Sequence, residues 1–409
     1  MYNSISIDEN YVRKLVSGVC IRRKNAENPS PMPPCHDDSK SQCPIEYGYS
    51  TIDWGEMVRC IGNCFIGDLD TYDWISGQPK RSLNGCLKAS TNIDWLLHLS
   101  KKRYRDHSSH QLFVAALGDF LLNCKIVSTD QFTLKKWISN KSQIREEDVE
   151  LAWWIASLFH DHAYPLAHML KLTPSIFEEN RSELLDQTWN LLGYGNSSHD
   201  IFKNLYEYQF LKDLRNAIEN YDNSGTQDKK GFIIEIIKNL LLPSYFEENE
   251  FSDDIEVCYD HGILAAANLA SFFSHAKSPI IRHIIRAIAI HNGAACPTSV
   301  DIENDPLAFL LILCDECQEW GRRIIIGDKA LTESNCIFLN DLKNFEIYES
   351  FSVVFSYPNA GSLSQTGWSY PLFQKSKDVA FARLNNTNNF LSRINYQVVI
   401  PHEKIFSKS

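Results

Sequence analysis

From Leu151 to Phe159 the chain is almost wholly apolar, with Trp153, Trp154, Ile155 and Leu158 inside the run, and it closes on His160-Asp161-His162-Ala163-Tyr164-Pro165. A helix of that composition has to be buried. An ionised carboxylate set directly behind it costs several kcal/mol unless a cation stands against it, and either a buried arginine or a metal ion meets that need. The adjacent imidazole and carboxylate suit a metal: His160 can serve one divalent ion while the two oxygens of Asp161 bridge to a second.

The same construction recurs along the chain. His110 precedes the stripe Leu112, Phe113, Ala116, Leu117, Phe120 and Leu121; at about 100° per residue it shares a face with Val114 and Leu117, and His107 lies one turn earlier. His261 opens the run from Gly262 to Phe273, where Gly262 permits a neighbouring helix to approach closely. His291 ends Ile280 to Ile290, and Asp315 follows Leu310-Leu311-Ile312-Leu313-Cys314, where the argument about a buried carboxylate applies again. Apolar periodicity predicts further helices from Glu146 to Leu172, Pro174 to Leu192, Ser198 to Tyr221, Gly231 to Leu242, Val257 to His275, Pro279 to His291 and Asp305 to Arg322.

The fold class is therefore mostly α, a helical bundle, in three parts. Residues 1–90 read as an irregular covering segment, with a Pro, Ser and Asp-rich stretch from Ala26 to Gln42 and a pattern of Trp54, Met57, Val58, Ile61, Phe65 and Ile66 that fits one helix or short strands. Residues 91–332 hold the helices. Residues 333–409 change texture to the runs Phe345 to Tyr348, Phe351 to Tyr357, Val379 to Ala382 and Tyr396 to Ile400, which predict a small β-containing appendage, β or α+β.

The order His110, His160-Asp161, His261, His291, Asp315 resembles the HD-domain metal-dependent phosphohydrolase superfamily, in the branch with extra histidines between the His-Asp pair and the last Asp. The matching segments are Arg105-Asp106-His107-Ser108-Ser109-His110, Leu158 to Pro165, Asp260-His261-Gly262, Ala287 to Asn292 and Leu313 to Arg322, within roughly residues 95 to 325. The resemblance implies a helical bundle of the HD type. It also implies hydrolysis of a nucleotide or related phosphoester by a nucleotidase, a deoxynucleoside triphosphate triphosphohydrolase or a phosphodiesterase. In that reading His110, His160, Asp161 and Asp315 hold one metal, and Asp161, His261 and His291 the other. The mixed imidazole and carboxylate set suits two divalent transition ions, manganese, iron, cobalt, nickel or zinc. Asp161, His107 and Arg322 take the catalytic roles, and Arg105, Arg282 and Arg322 are candidates for phosphate contact. Arg322 returns to within about 20° of the Asp315 face and either pairs with Glu319 or reaches a phosphate oxygen bidentately. A similar ligand order serves diiron oxygenases, and a sensor with a partly structural metal site is a third possibility.

Composition narrows the partners. With 40 basic against 51 acidic residues the net charge of −11 argues against general nucleic-acid binding or an anionic membrane surface. No apolar stretch is long enough to span a bilayer, and the opening residues lack a secretory pattern. Twelve scattered cysteines then read as reduced thiols in a cytoplasmic protein. Cys314 and Cys317 have no second such pair to complete a zinc site, so they read as core. A small-molecule phosphoester or nucleotide is the expected partner, with a homo-oligomer possible.

Overall fold

The computed structural model describes residues 9–24, 54–69, 83–87, 90–91, 107–127, 132–164, 167, 229–242, 244–251, 260–273, 278–292, 299–318, 324–326, 329–331, 336–339, 346–347, 350–356, 370–385, 391, 393–399 and 406–408. The predicted helices at Pro174 to Leu192 and Ser198 to Tyr221 lie outside these residues, as does the stretch from Ala26 to Gln42.

The bundle is built from α1 (Glu9–Lys24), α2 (Trp54–Asp68), α3 (His107–Leu122), α4 (Leu134–Ser142), α5 (Glu146–Phe159), α6 (Lys229–Leu241), α7 (His261–Ala270), α8 (Pro279–Ile290) and α9 (Pro306–Cys317). Helix α5 is central: it packs against α2, α3, α4, α8 and α9. Trp153 and Trp154 are fully buried in it, and their indole N–H groups donate to Ala115 O (2.8 Å) and Asp119 Oδ1 (3.2 Å) on α3. Gly118 is what lets α3 lie so close, because a Cβ there would fall 1.8 Å from the Trp153 ring.

Several boundaries depart from the sequence reading. In the N-terminal segment, read as irregular, α1 and α2 are helices packed on α3; Trp54, Met57, Val58, Ile61, Phe65 and Ile66 form one buried helical stripe, which resolves the choice between helix and strands. Helix α4, which that reading passed over, is capped by Thr133, whose hydroxyl accepts from Lys136 N at 3.2 Å. Helix α5 stops at Phe159 and does not run on to Leu172, because the next turns tighten: His162 N bonds Phe159 O and Tyr164 N bonds Asp161 O, each three residues back. Helix α7 begins at His261 because Asp260 caps it, accepting from Ile263 N at 2.9 Å. Helix α9 ends at Cys317, five residues short of Arg322, and Gln318 is extended.

The C-terminal part is α+β. It contains strands β2 (Ile324–Ile326), β3 (Lys329–Leu331), β4 (Cys336–Leu339), β5 (Glu346–Ile347), β6 (Phe351–Ser356), β7 (Ile394–Val399) and β8 (Phe406–Lys408) and helix α10 (Tyr370–Leu384), while β1 (Lys125–Ile126) follows α3 in the bundle. The main sheet has the order β4-β6-β7-β8, with β6 and β7 parallel and α10 as the crossover between them. Val379 to Ala382, read as a strand-like run, lies in α10, where Ala380 and Phe381 face the core and Val379 faces solvent. Strand β1 pairs with β5, so the bundle and the C-terminal part share a ladder, and α10 packs on α9. Among the described residues no helix is long and apolar enough to cross a membrane.

Candidate metal centre

Histidine placed at a helix end has an orphan carbonyl within reach, since the last turn of an α-helix leaves its carbonyls without intrahelical partners. The chain uses this repeatedly. His160 Nδ1 donates to Ser157 O (2.7 Å) behind α5, and His291 Nδ1 donates to Ile288 O (2.6 Å) behind α8. Each bond puts the proton on Nδ1 and leaves the Nε2 lone pair facing inward, the arrangement a metal requires. His160 is fully buried, and its Nε2 has no hydrogen-bond partner.

These rings converge on Asp161. Its Oδ2 lies 2.8 Å from His107 Nδ1, 3.5 Å from His160 Nε2 and 3.7 Å from His110 Nε2. Its Oδ1 lies 3.1 Å from His261 Nε2 and 3.8 Å from His291 Nε2, and the last two nitrogens are 3.2 Å apart. On the far side of His110, Nε2 stands 2.8 Å from Asp315 Oδ1. Two donors held ~2.1 Å from one ion in a tetrahedron lie roughly 3.4 Å apart, and these separations of 2.8 to 3.8 Å bracket that value. Donor atoms of His110, His160 and Asp315, and again of His160, Asp161 and His291, all lie within 4.8 Å of one another. The buried cluster could hold a metal ion.

Supporting contacts orient the rings. Gln318 accepts from His110 Nδ1, so the Nε2 of that ring also faces the centre. Gly262 brings α7 against α8: a Cβ there would meet Ile288 O at 2.7 Å and His291 Cε1 at 2.9 Å. Asn292 Nδ2 bridges Asp260 Oδ2 (2.9 Å) and His261 Nδ1 (3.2 Å). His107 is partly exposed at the rim, and Tyr164 lies over it with ring centroids 4.0 Å apart.

The electrostatics follow from burial and neighbours. Burial works against the Asp161 charge, but His160, His107 and His261 outweigh it and hold the carboxyl well below the ordinary carboxylate range. Asp315 is likewise lowered, with His110 overcoming burial. Burial pushes His160 down to about 4. His291 goes the other way: burial opposes its charge, and Asp161 with Asp315 outweighs burial and raises it.

The six residues read as ligands, His110, His160, Asp161, His261, His291 and Asp315, are thus brought together, with His107 beside them. Arg282 is not. It stands exposed on the first turn of α8, about 13 Å along the axis from His291 at 1.5 Å per residue. Arg286, four residues on, is buried: it grips Asp305 (2.8 and 2.9 Å), Glu250 (3.1 and 3.2 Å) and Tyr245 O (3.0 Å). Arg105 and Arg322 lie outside the described residues. His162 is structural, its Nδ1 donating to Phe159 O (2.6 Å) and its Nε2 accepting from Asn268 (3.0 Å). Sequence reasoning gave no supporting role to Gln318, although its place three residues after Asp315 was a usable signal; Asn268 and Asn292 carried none.

No protein-family model matches the chain, and neither a curated protein nor a solved structure matches it.

Proposed function

We propose that this chain is a metal-dependent phosphohydrolase of the HD type, acting on a nucleotide or related phosphoester with two divalent transition ions. The observation that carries the reading is the division of the histidines by the two oxygens of Asp161. Oδ2 faces His107, His110 and His160; Oδ1 faces His261 and His291. A carboxylate so placed would be shared between two ions, one held with His110, His160 and Asp315 and the other with His261 and His291. Ions bound there would supply a water of lowered pKa and neutralise charge on the phosphoryl oxygens.

The chain's own residues do the rest. Asp161 keeps its charge at neutral pH and would hold the ions, while the proton lost by the attacking water passes to His107, whose Nδ1 lies 2.8 Å from Asp161 Oδ2. His107, at the rim, is placed to return a proton to the leaving oxygen as the P–O bond breaks. Water is added across that bond, and no redox partner is needed.

Release of phosphate, pyrophosphate or triphosphate is measured with nucleoside triphosphates, monophosphates and cyclic nucleotides in the presence of Mn²⁺, beside Asp161→Ala. Release that vanishes in the variant is the expected result; no release with any of the transition ions overturns the reading. The donor set itself supports one second reading, a diiron oxygenase, because four imidazoles and two carboxylates suit iron as well as manganese. An iron-loaded chain whose absorption changes only when substrate and oxygen are both present would select it.

A further inference from the structure

We infer that α10 sets the geometry of the metal centre: its Lys377 and Arg383 hold the C-terminal ends of α9 and α8, the two helix ends that present Asp315 and His291. The inference rests on the reading of the cluster as a metal site. Lys377 is buried, and its Nζ donates to Glu316 O at 2.6 Å and to Glu316 Oε2 at 2.9 Å. Glu316 is the neighbour of Asp315, and two residues further on Gln318 fixes the His110 ring. Arg383 donates from Nη1 to His291 O (3.2 Å) and from Nη2 to Ile290 O (2.6 Å), so it holds the backbone of a candidate ligand directly.

Cations at helix C-termini satisfy orphan carbonyls and complement the dipole, and that alone would be ordinary capping. Two features point beyond it. Both cations come from one helix, six residues and so about 9 Å apart, which makes α10 a rigid spacer between ligands from the two halves of the site. A buried ammonium is also strongly disfavoured without partners, and an apolar side chain would cover the end of α9 without that burden. Helix α10 is itself anchored in the C-terminal sheet: Tyr396 donates its hydroxyl proton to Asp378 Oδ1 (2.7 Å), and Phe381 packs on the Tyr396 ring with centroids 5.4 Å apart. Lys377 and Arg383 are positioning residues, with no contact to substrate implied.

The test uses the full chain and Mn²⁺ alone, with free ion counted by electron paramagnetic resonance and folding followed by circular dichroism and thermal unfolding. Lys377→Met and Arg383→Met are compared with Tyr396→Phe, which loosens α10 from the sheet and leaves both caps in place. Each cap variant is expected to fold and to bind Mn²⁺ about 10 to 100 times more weakly, as when a partner of a metal ligand is removed. Tyr396→Phe is expected to lose thermal stability and keep the wild-type affinity. Wild-type affinity in both cap variants overturns the inference; so does Tyr396→Phe losing affinity in step with its stability. Should a Met variant fail to fold, Arg383→Lys, which keeps the charge and reaches one carbonyl, decides: weaker binding supports the inference and unchanged binding overturns it. A wild-type chain that binds no Mn²⁺ overturns the metal reading and this inference with it, an outcome distinct from wild-type binding that the variants leave unchanged.

Discussion

Replacing Gly262 by alanine adds one methyl group where there is no room for it. The new Cβ would lie 2.7 Å from Ile288 O and 2.9 Å from both Cε1 and Nδ1 of His291. The first of these is helix backbone and cannot step aside, so α7 must lift from α8 or His291 must turn. Overpacking of this kind costs about 1 to 3 kcal/mol. If His291 turns, its Nδ1 bond to Ile288 O is lost as well, another ~1 to 3 kcal/mol for a buried donor. Against this, alanine is better than glycine in a helix by about 1 kcal/mol. The balance is a loss of roughly 3 kcal/mol. At ~2.1 cal/mol/K of unfolding entropy per residue over 409 residues, 1 kcal/mol corresponds to about 1 °C, so Tm should fall by about 3 to 4 °C. Thermal unfolding of the metal-free chain measures this, and Mn²⁺ affinity should fall about 10 to 100-fold because His291 no longer points at Asp161. An alanine variant as stable as the wild type, with unchanged Mn²⁺ affinity, would refute the reasoning.

Burial pushes His162 down to about 4 while the unfolded chain protonates it near 6.5; the unfolded state therefore binds more protons between those values, and stability should decline as pH falls through that window, by up to about 3 kcal/mol. His160 shares the direction, the lowered Asp161 and Asp315 act below the ordinary carboxylate range, and the raised His291 acts oppositely as pH rises above 6.5; the contribution of His162 is the part of the urea-derived slope that His162→Gln removes. Arg286→Met strands the carboxylates of Asp305 and Glu250 and should cost about 3 to 5 kcal/mol in chemical unfolding. Its Mn²⁺ affinity should stay at the wild-type value; a loss of affinity would tie this network to the metal.

The candidate ligands were legible because burial writes itself into sequence. An apolar run such as Leu151 to Phe159 has to go inside, and a carboxylate at its end then needs a cation. The helical class followed from the same runs. Boundaries were less legible: α5 stops at Phe159 because the following turns tighten, and α9 ends early with Gln318 turned toward His110, both results of tertiary contact. Charged side chains carried least information. Nothing in the pattern separates exposed Arg282 from buried Arg286, four residues later on the same helix, since contacts with Asp305, Glu250 and Tyr245 O, distant in sequence, make the difference. Lys377 and Arg383 were hidden for another reason. Val379 to Ala382 favour a strand locally, and β propensity reflects packing context, so the helix that carries both cations was not visible.

Three helices, α5, α8 and α9, deliver His160 with Asp161, His291 and Asp315 from their C-terminal ends, where each helix carries a partial charge of about −0.5. Two carboxylates add to that negative potential, and the arrangement stabilises a cation. It also explains why the remaining donors are imidazoles. A further carboxylate would have to be held among like charges whenever the site is empty, at a cost of several kcal/mol. A neutral imidazole adds a lone pair without adding charge, and at a helix end it can donate its other proton to an unpaired carbonyl, as His160 does to Ser157 and His291 to Ile288. The same bond therefore satisfies the backbone, selects the tautomer and aims the lone pair. A centre built this way can be assembled by the folding chain before any ion arrives.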